Sequence, residues 1–204
     1  MQKQLNTIKS AILFVAITFS MFTMHAQTPK TVWNLDNAHS SVKFGIDHMV
    51  VSEVDGRFKD FSADIKADKA DFTDAKGSFS VQLKSVDTDN DKRDEHLRGA
   101  DFFNVEKNPT LTFVIQKFTK VNGKQYKVTG NLTLNGVTKL VTFNAKFGGT
   151  VKDPYGFTRT GISISGEIDR YAFGLKYNSV LEAGGLTIGQ KVRINVNLEF
   201  TQAK

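Results

Sequence analysis

The chain has 204 residues, 27 lysines and arginines against 21 acids, a formal net charge of +6 and no cysteine. That length suits one domain with a sizeable core, and an exported domain without disulfides must be held by packing and its hydrogen-bonded sheet. The basic excess is scattered lysine on polar strand faces, with no dense stripe interleaved with aromatics, which speaks against a nucleic-acid partner.

The first 26 residues read as a leader rather than as fold. Lys3 and Lys9 form a positive start, 11–22 is apolar apart from Thr18 and Ser20, and Ala26 offers a small residue before a cut at Gln27. The apolar run is too short and wrongly flanked for a stable membrane span. The expected product is a domain of residues 27–204, exported to the periplasm or secreted.

Strands then follow one another. Val42, Phe44, Ile46 and His48 share a face against Ser41, Lys43, Gly45 and Asp47. Phe61, Ala63, Ile65 and Ala67 share the next, with Phe58 out of phase, which predicts a bulge near Lys59 and Asp60. Phe79, Val81 and Leu83 alternate with polar residues. The segment 87–105 breaks the period. Asp89 or Asn90 can cap a short helix there, with acids early and bases late, and Gly99 stops it.

Leu111, Phe113 and Ile115 resume the alternation. Asn122-Gly123 and Asn135-Gly136 are hairpin signals. Between them Tyr126, Val128, Leu132 and Leu134 share a face through Gly130. Val141, Phe143, Ala145 and Phe147 return, and Asp153-Pro154-Tyr155-Gly156 is a further turn. Ile162, Ile164, Gly166 and Ile168 form one inner face. Val192, Ile194, Val196, Leu198 and Phe200 form the last.

A period of two means one dry and one wet face. Eight or nine such strands with hairpin turns need a shared interior: an all-β, antiparallel barrel of about eight strands with a short helical insertion. The inward small residues Ala63, Ala67, Gly130, Ala145 and Gly166 either leave room for a ligand or relieve packing at barrel corners.

Chemistry-bearing motifs are sparse. His39, His48 and His96 have no metal-ligand spacing. His48 falls on an apolar face, where a hydrogen-bonded core histidine is the plain reading and a ligand contact the sharper one. Asp87–Asp91 begins like a calcium loop, but Lys92 and Arg98 stand where glycine and glutamate are needed. Gly184, Gly185 and Gly189 make no phosphate loop, and Asp169 with Glu182 is a weak carboxylate pair. Arg93, Arg98 and Lys107 can meet an anionic head group if the insertion covers a barrel mouth, or can simply pair with nearby acids. Phe102 and Phe103 are adjacent, so in a strand only one can face inward and plug a barrel end.

Several blocks carry a resemblance. They are Trp33-Asn34-Leu35-Asp36 with His39-Ser40-Ser41-Val42, and Gly56-Arg57-Phe58-Lys59-Asp60-Phe61. Ser85-Val86-Asp87-Thr88 follows, then Arg93-Asp94-Glu95-His96-Leu97-Arg98 and Asp101-Phe102-Phe103-Asn104-Val105. The stretch 128–138, Phe173-Gly174-Leu175 and 181–185 complete the set. From about Trp33 to Phe200 the chain closely resembles the YceI family of exported, lipocalin-like polyisoprenoid-binding proteins. Asn37 and Tyr177 depart from it, where proline and tryptophan are common.

The resemblance implies a hydrophobic barrel interior holding a long isoprenoid chain or similar amphiphilic lipid, with neither catalysis nor cofactor. Strand phase supplies the expected cavity wall: Phe44, Ile46, His48, Phe61, Ile65, Phe79, Val81, Leu83, Phe113, Ile115, Val128, Leu132, Phe143, Ile164, Ile194 and Val196. The pattern is compatible with transient membrane contact and with a monomer or a homodimer. Two rival readings stay open: an enzyme acting on a lipid head through His48 or His96, and a filled, ligand-free barrel serving as a stress-response interaction protein.

Overall fold

In the computed structural model, residues 29–180 and 186–203 are described; the expected leader and the block 181–185 lie outside them. Eleven strand segments form the sheet: β1 (Val32–Leu35), β2 (Ser41–His48), β3 (Ser52–Phe58), β4 (Phe61–Lys66), β5 (Lys76–Gln82), β6 (Val86–Asp87), β7 (Thr110–Asn122), β8 (Gln125–Leu134), β9 (Val137–Lys152), β10 (Thr158–Asp169) and β11 (Ile188–Gln202). The helix α1 (Asp91–Arg98) lies between β6 and β7.

The first six segments are three bent staves. β1 and β2 both pair with β11, through Leu35↔Phe200 and Ile46↔Val192, so together they form one neighbour of that long strand. β4 pairs with β1 and β3 with β2. β5 and β6 lie against β4 and β3 in turn. The phase break at Lys59-Asp60 is the joint between β3 and β4. Five single strands complete the round from β7 to β11, and β1 meeting β11 closes it. The result is an eight-stave, wholly antiparallel barrel, a closed form that leaves no long free edge.

One hairpin turn and one helix cap show how local residues set the element boundaries. Asn135 and Gly136 both have positive φ, +50° and +73°, as the twist-matched two-residue hairpin turn requires. Asn90 caps α1 by accepting from the Arg93 N–H at 3.0 Å, and Gly99 ends it.

Leu83 corrects the strand reading. It opens a 3₁₀ turn, Leu83–Ser85. Its N–H still donates to the Pro109 carbonyl at 2.9 Å, one step beyond the Gln82↔Thr110 pair, but Pro109 has no N–H to return the bond and the ladder ends there. The small inward residues also have a clearer account. A Cβ on Gly166 would stand 2.7 Å from Cδ1 of Phe143, and one on Gly130 would meet Cζ of Phe113 at 2.6 Å. These two glycines leave room for phenylalanine rings on neighbouring strands, not for a ligand.

Arg159 on β10 ties the barrel wall to its joints. Its guanidinium donates to Asp153 at 2.6 Å, and to Asp36 and Glu199 at 2.8 Å each. Hydrogen bonds from His39 and Arg159 hold the Asp36 carboxyl at about 2, below its ordinary 3.8. A depressed carboxyl contributes stability above its unfolded value and loses it as pH falls through the folded one. Urea midpoints are therefore expected to drop as pH falls from about 4 to 2. Asp36→Asn should be weaker than wild type at pH 5, with the gap shrinking toward pH 2. A gap that stays constant over that range would contradict this assignment.

Candidate functional site: a two-chambered barrel interior

The barrel has two unlike ends. At one, the loop 67–75 folds inward and places Phe72 beneath the lumen. Its ring lies 4.9 Å from Trp33 and 5.3 Å from Phe147, and it is fully buried. At the other end gather the β2–β3 turn, the α1 insertion, the Asn135-Gly136 turn and the long β10–β11 connection.

Between these ends lie two cavities. The inner chamber, about 130 Å³, is walled by apolar side chains throughout, with Lys43, whose side chain is exposed, the one exception. The outer chamber, about 300 Å³, adds Asp47, His48, Thr88, Arg93, His96, Arg170, Tyr177 and Thr187 to an apolar base. Phe44, Phe58, Leu111, Ile168 and Ile194 line both, so they form a waist between the chambers. The outer chamber reaches solvent at its rim, where Tyr177 is 40% exposed.

Lumen-facing residues such as Phe44, Ile115, Ile164 and Ile194 are only half-buried although they point into the barrel. Side chains at close-packed density would leave them no accessible surface. The residual exposure is exposure to the void.

Fourteen of the sixteen anticipated wall residues line one chamber or the other. Ile46 and His48 belong to the outer chamber only. Phe61 and Leu83 line neither; both are buried in the surrounding core, with the Phe61 ring packed 5.9 Å from Phe79. His48 differs from the plain reading too. It is half-buried, and its imidazole has no hydrogen-bond partner among the described residues.

Of the three basic residues of the insertion, Arg93 alone reaches the chamber wall. Its Nε donates to Thr88 Oγ1 at 2.8 Å and its Nη2 to the Thr88 carbonyl at 2.7 Å. The Arg98 guanidinium is turned to the Lys84 and Val86 carbonyls, and Lys107 is exposed away from the wall. Phe102 and Phe103 both line the outer chamber, because they lie in a turn and escape strand alternation. Phe102, His96 and Tyr177 form a three-ring cluster with centroids 4.9–5.0 Å apart, joining the insertion to the β10–β11 connection across the rim.

Arg170 was not singled out by sequence reasoning. It opens the 3₁₀ turn Arg170–Phe173, where Asp169 caps by accepting from the Tyr171 N–H at 2.9 Å. The available signal was phase: Ile164, Gly166 and Ile168 share the inner face of β10, and Arg170 is the next residue in that period. Burial lowers its pKa from the ordinary guanidinium value.

Asp36, His39 and Glu199 form a cluster with metal-ligand atoms within 4.8 Å of one another. Both carboxylates already hold Arg159, a cation supplied by the chain itself, and all three residues stand outside both chambers.

Known proteins share this fold. A family model described as the YceI-like domain matches residues 33–200. A UPF0312 protein of Staphylococcus epidermidis is 39% identical over 172 residues, covering 84% of this chain and 98% of that one. A crystal structure of the Campylobacter jejuni YceI protein superposes with a TM-score of 0.66 at 33% identity, over 78% of this chain and 90% of that one. A polyisoprenoid binding domain from Saccharophagus degradans, implicated in plant cell wall breakdown, shares the fold with a TM-score of 0.62. It is 19% identical, with 85% of this chain and all of that one covered. With the model spanning most of its length and its fold shared by solved relatives, the chain belongs to the YceI-like domain family.

Proposed function

We propose that this protein binds a long-chain amphiphilic lipid, an isoprenoid first among them, as a carrier or sequestering protein without chemical turnover. One observation carries the reading: a chamber walled by apolar side chains, Lys43 apart, at the blind end of the barrel leads through an apolar waist into a polar-rimmed chamber at the open end. A tail in the inner chamber gains roughly 25 cal/mol for each Å² of apolar surface buried, less the cost of ordering the chain. A head group at the rim keeps its hydrogen bonds. The polyisoprenoid-binding domain from Saccharophagus degradans has the same barrel, which supports an isoprenoid tail. The leader-like 1–26 supports export, with the periplasm as the place of action.

The test is native mass spectrometry of protein purified gently from its host's exported fraction, followed by solvent extraction and lipid identification. A one-to-one adduct identified as an isoprenoid is expected. A clean apo mass that stays apo after incubation with prenyl quinones and prenyl phosphates would overturn the reading.

A further inference from the structure

Arg170 is 3% exposed, the most buried charged side chain among the described residues, and it stands at the wall of the outer chamber. Its Nε donates to the Gly189 carbonyl at 2.8 Å. Nη1 donates to the carbonyls of Leu175 at 2.6 Å and Tyr177 at 2.9 Å, and Nη2 to that of Ile188 at 3.2 Å. A guanidinium has five N–H donors, so one Nη2 hydrogen has no acceptor among the described residues. All four partners are neutral. The adjacent Asp169 turns its carboxylate to the Tyr171 N–H and to Gln190 Nε2.

The Asp169 charge and the face of the Tyr171 ring, 4.7 Å from Cζ, lie near the guanidinium, but no carboxylate is hydrogen-bonded to it. A buried cation without a directly paired counter-ion is costly, and a clamp on four carbonyls does not by itself require a charge. The rest of the wall repeats the imbalance. Arg93 bonds only to Thr88, while the buried Asp94 beside it accepts from the Thr88 N–H and hydroxyl instead. Asp47, the one carboxylate lining this chamber, is held by Arg193 at 2.8 Å. Two guanidiniums therefore border a chamber whose acids are engaged elsewhere.

We propose that the outer chamber selects lipids with an acidic head group, a phosphate monoester or a carboxylate, over neutral ones, with Arg170 and Arg93 as the charge partners. Arginine suits both, since its fork matches the planar carboxylate and two phosphate oxygens. The inference rests on the lipid-binding reading above and narrows it to a class of head.

The test uses one tail and three heads: geranylgeranyl monophosphate, geranylgeranoic acid and geranylgeraniol. Each is titrated into the delipidated mature protein at about 50 mM salt, where exposed charges are not yet fully screened. Both acids are expected to bind at least about tenfold more tightly than the alcohol, a difference of about 1.4 kcal/mol. In Arg93→Met the preference should fall severalfold while affinity for the alcohol holds; Arg170→Met should do the same. Because Arg170 also clamps the β10–β11 connection, its variant counts only if its thermal midpoint shows a folded barrel, and Arg93→Met decides otherwise. Equal binding of all three lipids would overturn the acidic-head inference and leave lipid binding intact. An undiminished preference in folded Arg93→Met would overturn the assignment of these residues. Binding of none of the three would overturn the lipid-binding reading itself.

Discussion

Phe72→Ala is expected to destabilise the barrel by about 3–5 kcal/mol, the range for truncating a buried phenylalanine. Phe72 is completely buried, closes the blind end of the lumen and packs on Trp33 and Phe147. Its φ is +60°, a left-handed conformation that alanine also finds unfavourable, so the substitution reports packing more than backbone strain. Cavity creation adds to the lost transfer energy, because the surrounding strands are hydrogen-bonded and cannot collapse far. Urea unfolding measures the loss. Trp33 reports it independently: it is the single tryptophan, its ring tilted at 53° against Phe72, with its indole N–H donating to the Ala67 carbonyl at 3.0 Å. Its emission should shift to longer wavelength in the folded variant. A loss under about 1 kcal/mol, far below the range for a buried ring, would mean that the loop 67–75 does not seal the barrel as described.

Ile164→Asp is the second large effect. Ile164 lies on β10 between Ala145 of β9 and Val196 of β11, and it faces the inner chamber. A carboxylate there meets apolar walls, the one basic lining residue, Lys43, being exposed to solvent. Burying it unpaired costs several kcal/mol, and filling the chamber with a lipid tail would remove what hydration it keeps. Affinity for geranylgeraniol is expected to fall at least about tenfold, or about 1.4 kcal/mol. Ile164→Ala separates folding from binding, since it removes contacts without adding charge and should weaken binding far less. If Ile164→Asp folds and binds the alcohol as tightly as wild type, the tail does not reach the inner chamber.

Much of the barrel was legible in the chain because strand alternation is local. Val192, Ile194, Val196, Leu198 and Phe200 share a face whatever they pack against, and Gly123 and the pair Asn135-Gly136 mark reversals by their own backbone preferences. The first of these turns stands one residue on, at Gly123-Lys124, with Asn122 still in β7. The strand-borne part of the cavity wall follows from the same phase, which is why most of the residues named in advance line one chamber or the other. Phase fails where strands end. Leu83 turns out of β5 because the residue across from it, 26 positions on, is Pro109, which has no N–H to continue the ladder. Phe102 and Phe103 both reach the outer chamber because a turn frees them from alternation. Arg98 sits one helical turn from Arg93's region of the insertion, yet the chain presents its guanidinium to the Lys84 and Val86 carbonyls.

The sequence by itself determined the antiparallel strands, their dry and wet faces, the helical interruption with a cap at Asp89 or Asn90, and the resemblance that leads to the family. These depend on backbone preferences and side-chain periods that operate within a few residues. The tertiary structure alone decided that Phe72 closes one end, that Phe113 and Phe143 take the room beside Gly130 and Gly166, and that the lumen narrows to a waist. It also decided that Arg170 faces four carbonyls and no acid. Those features arise from contacts between segments far apart in the chain, where volume and charge must be balanced in space and no local period records the result.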